Sequence, residues 1–298
     1  MLKNLIDQSI IGLQIGSIYA LIALGYTMVY GIVKLINFAH GDLLMVGAYV
    51  TYYGTQKGLS VTVSMVIAIV FCAILGIVID LLAYKPLRNA PRMSVLITAI
   101  GVSFLLESLA LILFGAAPKI IKLDLVPKFL KTTESINIMG YRMSYLSVFV
   151  ISVTLICMII LNLFIKYTKL GKATRAVSQD SGAATLMGIN TNLTISITFA
   201  IGAALGGLGG VMYALMYPRI EPYMGVLPGL KAFIAAVFGG MGSIPGAMAA
   251  GYILGFIETY IKAYISTSWA NPIVFLLLII ILLFKPSGLF GKNIKEKV

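Results

Sequence analysis

Few residues in this chain could carry chemistry, and they fall in short stretches. The one histidine, His40, stands in Asn37-Phe-Ala-His-Gly-Asp42, beside Gly41. A lone imidazole cannot supply the several ligands a metal site needs, so no metal is expected. Two roles stay open for His40 and Asp42: fixing a broken helix, or lining a solute path. Glu107 lies near the middle of the apolar run 93–115. An ionisable group at such depth is costly and reads first as functional. For Glu107 a buried interhelical hydrogen bond is preferred, with a place in the path as the alternative. Asp80 and Glu258 fall near the ends of apolar runs, where solvation is cheap, and are expected to be structural. Asn37, with Gly242 and Ser243 of a later glycine-rich stretch, completes the candidate path.

Catalysis is not expected. One His, two Cys and scattered carboxylates offer no convergent nucleophile and base. Cys72 and Cys157 both sit inside apolar runs and give no disulfide framework. A phosphate-cradling loop would read G-x-x-x-x-G-K-[ST]. Gly171-Lys172 is followed by Ala173 and has Lys166 in place of the first glycine; Gly291-Lys292 is followed by Asn293. Neither fits, so any ATP must be hydrolysed by a partner, and no cofactor is expected.

These residues need elements to hold them, and composition says which. Of 298 residues, 60% are hydrophobic and 11% charged, and the mean hydropathy is +1.01. Soluble chains carry roughly a quarter charged residues. A helix crosses the hydrocarbon core in ~20 residues. The apolar runs are 5–30, 60–83, 93–115, 144–165, 192–217, 229–241, 246–262 and 270–284, with a weaker one at 36–53. The predicted fold is therefore all-α: a polytopic transmembrane bundle of eight or nine membrane segments, some discontinuous. Residues 1–298 form a single transmembrane domain, with no room for a second, soluble one. The first run, Ile10 to Tyr30, is long and rich in Gly and Gln, with no small-residue cleavage site after it. It is expected to stay as a helix.

The formal charge is +12. Basic residues lie mostly between apolar runs, as loops meeting anionic lipid headgroups do, so the partner surface is a bilayer and not nucleic acid. Lys34, the loop 84–92, the loop 166–191 and the tail lysines (285, 292, 295, 297) form the denser basic set, assigned to the cytoplasm. Lys3, Lys57, the loop 116–143, Arg219, Lys231 and Lys262 fall on the other face. Tyrosines at many run ends, and Trp269 at the start of the last run, form an aromatic belt. Gly12, Gly16 and Ala20 share a helix face, as do Gly202, Gly206 and Gly210, and Gly251 with Gly255. Such small faces let helix backbones pack closely.

Two stretches are more than packing. Val33 to Tyr49 and Val237 to Tyr252 each place glycines, with polar residues or a proline, between apolar half-segments too short to span alone. Non-helical backbone at membrane depth survives only where protein or a water-lined cavity satisfies it. Paired interrupted segments point to a transport site. In the loop 166–191, Ser178 or Asp180 can cap a helix start. Ala183, Ala184, Leu186 and Met187 then make a short helix, and Gly188 can end it.

Gly16-Ser-Ile-Tyr-Ala-Leu-Ile-Ala-Leu-Gly25, Asn37-Phe-Ala-His-Gly-Asp42, Gly47-Ala-Tyr49, Gly239-Gly-Met-Gly-Ser-Ile-Pro-Gly246 and the stretch Arg175 to Asn190 together resemble the LivH type of branched-chain amino acid ABC transporter permease. The resemblance runs along nearly the whole chain. It implies a permease subunit that works with a second, related permease of the LivM type, two ATPase subunits and an extracytoplasmic solute-binding protein. It also implies that loop 166–191 couples to an ATPase, with Arg175, Asp180, Ala183, Ala184 and Gly188 as its residues. Here Asp180 and an Ala-Ala pair stand where many importers carry a glutamate-containing loop. The implied solute is a branched-chain or other hydrophobic amino acid. Similar permeases serve urea and short amides, and an ion-coupled secondary transporter is the competing class.

Overall fold

The computed structural model describes residues 2–34, 37–88, 90–121, 126–127, 135–138, 141–285 and 287–291. Residues 35 and 36 of the first interrupted stretch lie outside these, as do Lys122, Lys128, Lys131, Lys292, Lys295 and Lys297. The elements in order are α1 (Leu2–Val33), α2 (His40–Gln56), α3 (Val61–Ile79), α4 (Arg92–Phe114), β1 (Ser135–Ile138), β2 (Tyr141–Ser144), α5 (Tyr145–Tyr167), α6 (Lys169–Gln179), α7 (Ser181–Leu186), α8 (Thr191–Met216), α9 (Val226–Gly239), α10 (Ile244–Tyr264) and α11 (Thr267–Phe284). A π-helical turn, Asp80–Tyr84, and a 3₁₀ turn, Lys85–Leu87, prolong α3.

Polar side chains start the helices where the sequence changes character. Ser60, Ser144, Asn190 and Ser243 each accept a backbone N–H from three residues on. Each such cap satisfies a donor that the first helical turn cannot. Seven helices among the described residues are long and apolar enough to cross a membrane: α1, α3 with its continuation, α4, α5, α8, α10 and α11. The expectation of eight or nine is not met by length alone. At 17 and 14 residues, α2 and α9 measure roughly 26 and 21 Å at 1.5 Å per residue, short of a ~30 Å core. The long loop also holds an element the apolar pattern does not announce. Strands β1 and β2 form an antiparallel hairpin with Ser135 opposite Ser144 and Ile138 opposite Tyr141.

The small-residue faces do close the bundle. A Cβ on Gly16 would stand 2.8 Å from the Tyr252 Cα, and one on Gly251 would meet Ala20, so α1 and α10 lie backbone to backbone. Helix α8 meets α2 the same way, with Gly207 against Gly47 and Gly210 against Leu44. Around this buried centre, α3, α4, α5 and α11 turn large apolar side chains outward: Ile97, Ile112, Ile160 and Phe284 are all exposed. An apolar exterior over a small-residue interior suits a lipid surround.

Both interrupted stretches are broken, though the first breaks elsewhere than expected. Gly41 and Gly47 lie within α2, while α1 ends at Val33 and α2 begins at His40. The second break is at Gly240–Ser243, with φ +95° at Gly240 and +94° at Gly242. There Leu289 and Phe290, following α11, donate their backbone N–H groups to the carbonyls of Phe238 and Gly239. This end of the bundle, which also carries α6 and α7, is called the α6 end below; the opposite one is the hairpin end.

Candidate functional site

At mid-bundle the two short helices meet start to start. Gly41 in the first turn of α2 lies against Gly225 and Gly229 at the start of α9: its Cβ would stand 2.9 Å from the Gly225 carbonyl oxygen and 3.1 Å from the Gly229 Cα. Helix α2 runs from there toward the hairpin end and α9 toward the α6 end. Two helix starts, each the positive end of a helix dipole, thus face one another.

Several of the candidate path residues gather around this junction. Asn37 is buried, and its Oδ1 accepts from the Tyr84 hydroxyl at 2.8 Å. The His40 ring is enclosed between α1 at Gly25 and α8 at Gly206, 4.5 Å from the Tyr26 ring. The Asp42 Oδ2 accepts from Ser103 Oγ at 2.5 Å. Ser103 and Glu107 are one turn apart on the inward stripe of α4, which also includes Val95, Ala99 and Ala110. The interhelical hydrogen bond expected of Glu107 is not found among the described residues; Ser103 makes that link instead. Gly242 and Ser243 are not part of this group. They form the turn at the α6 end, where Gly242 neighbours Gly31 and Ser243 caps α10.

The loop 166–191 folds into two short helices. Thr168 caps α6, whose Gly171, Thr174 and Val177 turn inward while Arg175 stays exposed. The Asp180 carboxylate caps α7, accepting from Ala183 N at 2.9 Å. At the other end Gly188 has φ +82°; its N–H reaches the Thr185 carbonyl, and Ile189 N–H reaches that of Ala184. These two bonds are the left-handed stop in which a glycine needs no Cβ-compatible backbone. The two alanines part company. Ala183 is exposed, whereas Ala184 is buried in a cluster with Val177, Ile195 and Phe199. The large apolar side chains left open at the end of α7 are Leu186 and, at its C-cap, Met187, 90% and 82% exposed.

Two charged clusters escape the residue-by-residue reading. Asp80 receives both Arg88 Nη2 contacts, at 2.8 and 2.9 Å, and the Ser196 hydroxyl. It ties the end of α3 to the start of α8, beside α7. Glu258, expected to be near solvent, is buried: Lys231 and Lys262 both donate to its Oε1, and the Tyr19 hydroxyl donates to its Oε2 at 2.8 Å. Lys231, expected on the face opposite the cytoplasm, is buried inside α9. Only the Glu258–Lys262 half of that cluster, four residues apart on one helix, has a local signal.

A family model described as "Branched-chain amino acid transport system / permease component" matches residues 9–283. Among curated relatives, the chain is 40% identical over 201 residues to the high-affinity branched-chain amino acid transport system permease protein BraD of Pseudomonas aeruginosa, covering 64% of this chain and 65% of that one. It is 42% identical over 205 residues to the corresponding LivH protein of Escherichia coli, with the same shares. A probable LivH of Methanocaldococcus jannaschii is 29% identical over 203 residues, 65% of this chain and 62% of that one. The matched stretches thus span less than two thirds of these relatives, 65% of the first two and 62% of the third. The family model takes in the central helices, both breaks and the capped loop together, and the chain belongs to the branched-chain amino acid transport permease family.

Proposed function

We propose that the chain is the membrane-embedded subunit of an ATP-driven importer for branched-chain or other hydrophobic amino acids in a bacterial cell membrane. The observation that carries this is α7: a six-residue helix, capped at both ends, that offers Leu186 and Met187 at one end of a chain with no nucleotide loop of its own. Six residues would not hold a helix in isolation, so the caps and Ala184 fix it for a purpose. An ATPase groove that accepts α7 gives the paired nucleotide engines their grip. Lys34, Arg88 and the α6 end then face the cytoplasm, and the hairpin end faces the binding protein that delivers the solute.

In this reading the membrane segments number nine: the seven full crossings plus α2 and α9 as half-length segments meeting at Gly41 and Gly229. A second, related permease chain completes the pore. The path passes Asn37, His40, Asp42 and Glu107 at mid-bundle and leaves by the Gly242–Ser243 turn. Two half-helix starts at mid-depth suit the passage of a carboxylate.

The test is uptake into proteoliposomes holding this chain with its partner permease, the ATPases and the loaded binding protein. Leucine accumulation that requires ATP and survives collapse of ion gradients supports the proposal. Uptake that follows a proton or sodium gradient without nucleotide overturns it in favour of an ion-coupled carrier, and a binding protein that prefers urea overturns the amino-acid substrate.

A further inference from the structure

Between α1, α8, α9, α10 and α11, toward the hairpin end, lies a cavity of about 270 Å³. At about 30 Å³ per water it has room for several waters or one small molecule. Its charged wall is the cluster of Lys231, Glu258 and Lys262, and that cluster is unbalanced. Two ammonium groups share one carboxylate oxygen, at 2.7 and 2.5 Å, so the wall carries one net positive charge. The Lys231 side chain is 7% exposed and Glu258 1%, while Lys262 is 35% exposed. Among the described residues Lys231 Nζ makes a single hydrogen bond, to Glu258, with the Tyr19 ring 5.8 Å away. An ammonium has three donors, so two are left for whatever occupies the space. Lys262 can reach solvent, so the demand falls on Lys231: a buried ammonium with donors left over is costly unless they are paired.

The rest of the lining says what would pair it. Ile15, Ile18 and Leu227 give an apolar wall, and Thr267 and Asn271 of α11 add uncharged polar groups. A carboxylate at the lysines, an apolar body on the α1 side, and oxygen acceptors from α11 for an ammonium make a complementary set. We propose that this cavity is a binding subsite for the carboxylate of a small apolar amino acid, taken up at the hairpin end before it reaches the Gly41–Gly229 junction. The inference deepens the importer reading and rests on it. It makes Lys231 and Lys262 binding residues, where their ion pairs with Glu258 alone would make them structural.

The experiment measures displacement of tritiated leucine from the detergent-purified full chain by leucine and by leucinamide, which lacks the carboxylate. The expected result is that leucinamide competes at least tenfold less well. In Lys231→Met, Glu258 and Lys262 balance, and leucine binding should fall at least tenfold. In the double variant Lys231→Met with Glu258→Gln, Lys262 restores the net charge and binding should partly recover, which a fold defect would not permit. Equal competition by leucinamide, or unchanged binding in Lys231→Met, overturns the proposal. So does protection in nanodiscs that follows phosphatidylglycerol content and ignores leucine, since the cavity then holds a lipid headgroup. ATP-driven uptake by the assembled importer, run in parallel, separates the two claims. Uptake without carboxylate-dependent binding overturns the subsite alone. Lys231-dependent binding without uptake supports the subsite and counts against the importer.

Discussion

Gly41 and Gly229 touch through their backbones: a Cβ on Gly229 would stand 2.6 Å from the Gly41 Cα. The contact joins the starts of the two half-length helices, α2 and α9, and no side chain fits between them. It explains why glycine is tolerated inside helices at both places, where alanine would otherwise gain ~1 kcal/mol of helix propensity. The close approach outweighs that gain, because the neighbour is backbone and cannot rotate away.

Gly229→Ala should therefore lower the thermal unfolding temperature and uptake together, with overpacking costing about 1–3 kcal/mol. Gly101 is the control. It lies in α4 with nothing within 4 Å of its Cβ position, so Gly101→Ala should raise stability by about 0.5–1 kcal/mol. Thermal scans of both variants in one detergent check this, and a more stable Gly229→Ala would sink the close-packed junction.

Asp80 is fully enclosed, while the Arg88 side chain is 17% exposed. Removing the arginine strands a buried carboxylate; removing the carboxylate leaves an arginine that can turn to water and to Asn192. Arg88→Met should thus be the costlier change, about 3 kcal/mol or more, and Asp80→Asn about 1–2 kcal/mol. The double variant should recover part of the loss, read as a non-additive cycle in thermal unfolding. Simple additivity would mean that the pair does not tie α3 to α8.

Glu107→Gln tests the path. Glu107 has no hydrogen bond among the described residues, so its carboxylate contributes little to holding α4. Thermal stability should stay within a few degrees while ATP-driven uptake falls roughly tenfold, the equivalent of 1.4 kcal/mol. A variant that unfolds early yet transports normally would make Glu107 a structural residue.

Much of the fold is legible from local pattern. Helices α4 and α5 are apolar runs long enough to cross, and nothing competes with that reading. The small faces at Gly16 and Gly251 are equally plain, because four-residue spacing on a helix has one geometric meaning. What escapes depends on distant partners. The first break precedes His40 because Gly41 and Gly47 serve close approach, to Gly229 and Gly207, and not a kink. Lys231 and Glu258 are 27 residues apart on different helices, so no periodicity announces their pairing. The same holds for Ala184: its sequence suits a partner's groove, but Val177 and Ile195 of its own chain cover it.

That last placement divides the coupling loop into parts that distinct substitutions can separate. Gly188 has φ +82° and open space around it, so a substitution there meets backbone strain and no clash. Forcing a β-branched residue into the left-handed region costs about 1–2 kcal/mol, enough to unseat a six-residue helix but not the bundle. Gly188→Val should insert normally, lose ATP-driven uptake and co-purify poorly with the ATPase. Ala184→Trp must disturb α6 and the start of α8 as well, and should also lower the unfolding temperature by several degrees. Leu186→Asp and Met187→Asp change only exposed side chains. They should leave the unfolding temperature unchanged and abolish ATPase co-purification, since a desolvated charge in an apolar groove is costly. Size-exclusion co-elution with the ATPase, at matched expression, reads all four. If both aspartate variants keep the ATPase and transport at the normal rate, the engine grips elsewhere, and the 84–92 turn beside Asp80 becomes the surface to test.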